Sequence, residues 1–240
     1  MSPEYTPTEL MAIAMARSFR DGEVVVMGAV PTIPLAACRL AQTLHAPTLS
    51  YIVGGSGTVN PTPAALPTQS CDPKLEGGPC TLPLPDVVLL EGRGDVLDVF
   101  CAGGLQIDAH GNCNLVCVGE RERPKLRGPG SVGLPFLPAV GRTIIYTLAH
   151  NPRTFVERVD FVSGAGDRAE LVVTTLGTMD FDPESRRMRL ASTHPGVHVD
   201  DVVAATGFQL LLPSSVPETP PPTREELAEL RRLDPGGSLR

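Results

Sequence analysis

The chain has 240 residues, a formal net charge of -7 and 42% hydrophobic residues. That length buries a substantial core, and an acidic balance without any basic block excludes nucleic acid as a partner, because such binding needs clustered Lys and Arg. No charged segment leads into an apolar signal region and no apolar run approaches the length of a membrane span, so a cytoplasmic protein with no membrane partner is expected.

From the N-terminus, "TPTELMAIAMARSFRDG" predicts a helix. Thr6 and Glu9 have capping-box spacing, Pro7 stands at the first helical position, Leu10, Ile13 and Ala14 form an apolar stripe, and Asp21 with Gly22 ends it. "EVVVMG" reads as a buried strand, "IPLAACRLAQTLH" as a helix and "TLSYIVG" as the next strand. This βαβ order predicts an α/β fold with an open, mainly parallel sheet and helices on both faces.

The second strand runs into "GGSGTVNP", where Gly54, Gly55 and Gly57 surround Ser56. Ligands of open α/β sheets bind just past the carboxyl ends of strands. The Gly55-x-Gly57 pair suggests a dinucleotide fingerprint, but Asn60 stands where the third glycine belongs. Pro61 and Pro63 are also ill suited to the helix whose N-terminus should hold the pyrophosphate.

Residues 60–85 are rich in Pro and Gly and long for a simple connection, which marks a functional or mobile loop. "DVVLLEGRGDVLDVFCAGGLQIDAHGNCNLVCVG" then carries helix, strand and hairpin signals, with His110, Gly111 and Asn112 as a turn between strands. "RGPGSVGLP" is a second glycine-rich loop. The strand-rich stretches "RTIIYTLAHNPRTFVERVDFVS" and "AELVVTTLGTMDFDPESRRMRL" follow, the latter turning at Asp182, Pro183, Glu184 and Ser185. Thr223 and Glu226 form a second capping box, predicting a C-terminal helix over 223–234. There is no internal repeat, and a single domain over 1–240 is expected.

The six cysteines do not make a metal site. Cys113 and Cys117 lie on what reads as one strand, where four residues span about 13 Å, too far to share a zinc ion. Cys71 and Cys80 flank a Gly/Pro loop and are expected as free thiols. His194 and His198 have a zinc-finger spacing without the cysteine pair that should precede it, so both are read as structural. His110, Asn112 and Asn114 are read as turn and strand-end residues, and Arg153 and Arg158 as partners of Glu157 or Asp160.

Taken together, "DGEVVVMG", "AGGLQIDAHGNCN", "RGPGSVG", "HNPRTFVERVDFVSGAG" and "STHPGVHVDDVVAATGF" resemble, in order and over nearly the whole chain, the β subunit of class I CoA-transferases. The likeness is greatest to the glutaconate CoA-transferase branch. The resemblance implies the CoA-transferase family I fold and a partner α subunit of similar fold, in a heterodimer or an α2β2 assembly. It also implies an acyl-CoA substrate held near the interface of the two subunits.

One departure decides the expected chemistry. Transferases of this class carry a glutamate after this strand, which attacks the thioester. Here the matching residues are Gly54, Gly55, Ser56 and Gly57, so the covalent nucleophile is missing, whether Gly55 or Ser56 takes its place. Two branches of the superfamily have left transfer chemistry. One is a myxobacterial decarboxylase of 3-methylglutaconyl-CoA, which supplies isovaleryl-CoA, and the other is a hydrolase that opens a steroid-derived ring on CoA. The sequence is read as the decarboxylase β subunit, because a glutaconyl thioester loses its distal carboxylate to give a dienolate with no metal or cofactor beyond the CoA of the substrate. Ser56 is the expected catalytic residue. Gly54, Gly55 and Gly57 form one wall of the expected site, and Gly128, Gly130, Ser131, Val132 and Gly133 supply oxyanion donors. The hydrolase and a catalytically silent subunit are the alternatives.

Overall fold

A computed structural model describes residues 4–131 and 133–240. The chain divides into two units, the first running up to Cys101 and including Pro221–Arg240, the second comprising Ala102–Pro220.

In the first unit α1 (Pro7–Ser18) begins as the sequence predicts: Thr6 Oγ1 accepts from the Glu9 amide and the Glu9 carboxylate accepts from the Thr6 amide. Its buried face differs from the predicted stripe: Leu10 and Ile13 are buried, Ala14 is only half-buried, and Met11, Ala12 and Met15 are buried as well, because α1 packs against both α2 (Thr32–Leu44) and the C-terminal helix Arg224–Leu233. β1 (Val24–Met27) lies between β2 (Ser50–Val53) and β5 (Val99–Ala102), parallel to both. Val25, Val26 and Met27 are fully buried, the continuous apolar run of a parallel strand covered on both faces. β3 (Thr58–Val59) turns back antiparallel on β2, and β4 (Cys80–Thr81) pairs antiparallel with β3. α3 (Leu84–Glu91) then leads toward β5.

Salt bridges fasten the C-terminal helix onto α1. Arg231 pairs with Glu9 at 2.8 Å and Arg17 with Glu226 at 2.7 Å. Burial pushes the Glu9 carboxyl up, yet the Arg231 guanidinium and the Thr6 amide outweigh it and leave the group below its ordinary value.

The second unit holds β6 (Gln106–Asp108), β7 (Cys113–Asn114), β8 (Cys117–Val118), β9 (Leu126–Arg127), β10 (Arg142–Thr147), β11 (Phe155–Val156), β12 (Ala169–Thr174), β13 (Gly177–Phe181), β14 (Met188–Thr193) and α4 (Val199–Ala204). β10 and β12 pair in parallel, and β13 and β14 extend them antiparallel. The turn into β14 forms where the sequence predicts it, with Asp182 Oδ1 accepting from the Ser185 amide and hydroxyl at 2.8 Å each. The chain is thus α/β, mainly parallel at its heart and flanked by helices, as expected.

One local expectation fails. Cys113 and Cys117 do not share a strand: β7 pairs with β6 and β8 with β9. Asn114 Oδ1 accepts from the Val116 amide at 3.0 Å and the Cys117 amide at 3.3 Å, a side-chain-closed turn that interrupts the ladder.

Candidate active site at the glycine turn

Gly54–Gly57 form the hairpin turn between β2 and β3, not the start of a helix. The Gly57 amide donates to the Val53 carbonyl at 2.8 Å and the Gly54 amide to the Met27 carbonyl at 3.0 Å. Gly57 has φ +68, and a Cβ there would run into the Leu82 carbonyl, so only glycine closes this turn. Ser56, half-buried, places Oγ 3.3 Å from both the Val53 carbonyl, to which it donates, and the Thr58 amide, from which it accepts. Both bonds are long for a hydroxyl and hold it weakly. Among the described residues no acceptor takes the amides of Gly55 or Ser56.

The Pro/Gly-rich segment folds over this turn. Tyr51 donates its hydroxyl to the Pro61 carbonyl at 2.9 Å, Thr32 to that of Pro67 at 2.7 Å, and the Ser70 amide donates to Ala29 at 2.9 Å. A side chain added at Gly55 would collide with Ser70 and stand 3.0 Å from the Cys71 sulfur. The space a side chain needs at that position is therefore filled by the chain's own residues. At Gly54 an added Cβ would meet the Met27 carbonyl at 3.1 Å and Glu91 Oε1 at 3.6 Å.

Glu91 is a site residue that sequence reasoning missed. It is the last residue of α3, only 6% exposed, and burial pushes its carboxyl up to about 7. No hydrogen bond or ion pair engages its side chain among the described residues. A signal existed: an acid placed at the C-terminal end of an apolar helix, against the macrodipole, immediately before Gly92.

In the second glycine loop the Gly128 amide donates to Val116 at 2.8 Å and the Gly130 amide to Leu115 at 3.3 Å. Both are committed to the loop's own shape. Among the described residues, the amides of Ser131 and Gly133 meet no acceptor. Val132 lies outside the described residues.

The remaining polar positions resolve into scaffold. Asp108 holds the turn at His110, accepting from the His110 and Asn112 amides. Asn114, fully buried, donates to Gln106 and Cys117. His194 is buried between Thr219 Oγ1 (3.0 Å) and the Thr174 carbonyl (2.8 Å), while His198 is exposed at the start of α4. The expected pairing of Arg153 and Arg158 is corrected: Glu157 instead meets Arg187 at 3.5 Å, and Asp160 accepts from Gln106 and the Gly119 amide. These partners come from strands and loops distant in sequence. All six cysteines are free. His150, unremarked in the sequence, stacks on Phe155 and sits 2.9 Å from Thr174 Oγ1 and 3.1 Å from Thr206 Oγ1, with burial pushing its ring down to about 4.

Comparison with known proteins accounts for nearly the whole chain. Residues 8–205 match the coenzyme A transferase family model. The B-type subunit of glutaconate CoA-transferase from Acidaminococcus fermentans is 31% identical, over 97% of this chain and 94% of the relative. The cholesterol ring-cleaving hydrolase IpdB subunit of Rhodococcus jostii is 32% identical, over 97% of this chain and 94% of the relative. Among solved structures, the decarboxylase AibA/AibB superposes with a TM-score of 0.88 at 26% identity, over 98% of each chain. Both sequence relatives are single components of larger enzymes, and this chain has the length and fold of such a component; it belongs to the coenzyme A transferase family.

Proposed function

We propose that this chain is the β subunit of a cofactor-free acyl-CoA decarboxylase, acting on a glutaconyl-type thioester. 3-Methylglutaconyl-CoA would give dimethylacrylyl-CoA, a precursor for isovaleryl-CoA. The carrying observation is the turn after β2, which has no carboxylate and whose side-chain space at Gly55 is taken by Ser70 and Cys71. At position 55 a carboxylate side chain has no room, and at 56 the residue is a serine.

In decarboxylation the electrons of the breaking C–C bond run through the double bond to the thioester oxygen. The enzyme must stabilise that oxyanion and deliver a proton to carbon. The uncommitted amides of Gly55 and Ser56 suit the first task, with Gly54 and Gly57 fixing the turn, because preorganised donors act where charge develops. In the second loop Gly128 and Gly130 set the shape, while the amides of Ser131 and Gly133 have no acceptor among the described residues. Ser56 positions the dienolate through its loosely held hydroxyl, which is too weak an acid to be the main proton source.

A cytoplasmic complex with an α subunit of similar fold belongs to this reading. α3 leaves Leu84, Val88 and Leu89 exposed by 59%, 39% and 70%, apolar surface suited to an interface with that partner. The hydrolase is the second reading, supported by the IpdB relative. The test is to assay the purified αβ complex for CO2 release from 3-methylglutaconyl-CoA, for ring opening of a cyclic β-keto thioester, and for CoA exchange between acetyl-CoA and a free dicarboxylate. CO2 release alone is expected. Ring opening moves the assignment to the hydrolase, exchange restores the transferase, and no turnover leaves a silent subunit.

A further inference from the structure

The proposed reaction needs a proton donor, and Ser56 is a poor one. The glycine turn has a better candidate on its other side. Glu91 Oε1 lies 3.6 Å, an ordinary contact distance, from where a Cβ of Gly54 would stand, and the Met27 carbonyl bounds the same point at 3.1 Å, so the carboxyl lies directly against the turn where position 54 carries no side chain. That side chain is nearly buried, has no hydrogen-bond partner and no cation beside it among the described residues, and its carboxyl oxygens keep a little contact with solvent. A carboxyl in a mostly dry place favours its neutral form, and oxygens at the edge of solvent with no protein partner are free to pass a proton outward. A purely structural position would be served better by an apolar side chain or by a paired one.

We propose that Glu91 is the general acid of this site and gives its proton to the dienolate carbon at the turn beside Gly54. The proposal rests on the decarboxylase reading. As the thioester carbonyl re-forms, the electron pair on carbon takes the proton, the O–H bond of Glu91 breaks, and a C–H bond forms. CO2 has already left, and the Glu91 carboxylate regains a proton from water. Three features keep it protonated near neutrality: burial, the absence of a cation, and its place at the C-terminal end of α3, where the helix dipole disfavours negative charge.

The experiment uses the αβ complex and three forms of the chain: native, Glu91→Gln and Gly54→Ala. Native CO2 release should fall as pH rises through about 7, following loss of the Glu91 proton. Glu91→Gln should lower the rate by at least about tenfold, at the low edge of the range for general acids, and abolish that alkaline limb. Gly54→Ala should slow the reaction while keeping the limb. Acyl-CoA binding should survive in Glu91→Gln, read by protection of the exposed Cys71 thiol from iodoacetamide in peptide mass spectrometry. An unchanged rate and pH profile in Glu91→Gln overturns the proposal and leaves the decarboxylase reading intact. Should the native complex release no CO2, that reading fails. Exchange of the γ-protons of dimethylacrylyl-CoA with D2O then decides Glu91 by itself, supporting it if exchange is present in the native complex and lost in Glu91→Gln, and overturning it otherwise.

Discussion

Each unit buries a titratable side chain whose ordinary pKa burial displaces, yet the two are built in opposite ways. In the second unit His150 is pushed down to about 4, and both ring nitrogens face threonine hydroxyls. Thr206 donates to the Val202 carbonyl at 2.8 Å and Thr174 to the Gly177 carbonyl at 3.2 Å, so both hydroxyls that meet the ring are themselves tied to the backbone. The ring is thereby fixed from both sides. In the first unit Glu91 is pushed up to about 7 and has no such partners among the described residues. A titratable group held by partners on both sides is scaffold, whereas one without a partner that still has a proton to offer is poised for chemistry.

The comparison is most exposed to stability measurements. Glu91 has a folded pKa raised above its unfolded value, so its contribution is fully present below about pH 4.5 and lost as pH rises through about 7. Glu91→Gln should therefore match the native complex in thermal stability near pH 4, and exceed it by about 3 kcal/mol at pH 8. A variant that is both slower and more stable at pH 8 sets function against fold at one atom. If Glu91→Gln is less stable at every pH, the carboxyl has a structural partner and the contrast collapses.

His150 has the opposite sign. Its folded pKa is depressed, so its contribution is present above about pH 6.5 and lost as pH falls through about 4, by about 2 kcal/mol for a partly exposed ring. His150→Gln should remove this acid limb from the midpoint-versus-pH curve while leaving the rate at neutral pH unchanged. A large loss of rate at neutral pH would move His150 out of the scaffold class.

The smallest effect belongs to Ser56, whose hydroxyl is held by two bonds of 3.3 Å. A thiol has a reference pKa of about 8.5, far below that of an aliphatic hydroxyl, and is the better auxiliary acid. Ser56→Cys should raise decarboxylation and Ser56→Ala lower it, each by about threefold, roughly 0.7 kcal/mol. Equal rates for the three forms would reduce Ser56 to a turn residue.

What could be read from the sequence was local. Both capping boxes, the βαβ order, and the turns at His110 and Asp182 depend on residues within a few positions of one another, and they form as predicted. The family resemblance located the glycine turn, since its motifs recur in order along the chain. What escaped depends on distance. Ser70 fills the space at Gly55 from a segment whose Pro61 and Pro67 carbonyls are tied down by Tyr51 and Thr32 and whose Ser70 amide bonds the Ala29 carbonyl. Glu91 is distant from Gly54 in sequence, and an apolar run ending in one acid reads as a helix end until the fold shows what it faces. The break between Cys113 and Cys117 was local but ambiguous, since Asn114 is compatible with a strand until its side chain captures the amides of Val116 and Cys117.

The interleaving of the two units has a consequence for how the chain is made. Ala102–Pro220 is continuous and can fold as it leaves the ribosome. The first unit cannot finish, because Glu9 waits for Arg231, Arg17 for Glu226 and the Thr6 hydroxyl for the Leu239 carbonyl. At the usual pace of translation that wait lasts roughly ten to forty seconds. During it the apolar face of α1 and the carboxyl of Glu9 lack their final cover, so this interval is when a nascent chain most needs a chaperone.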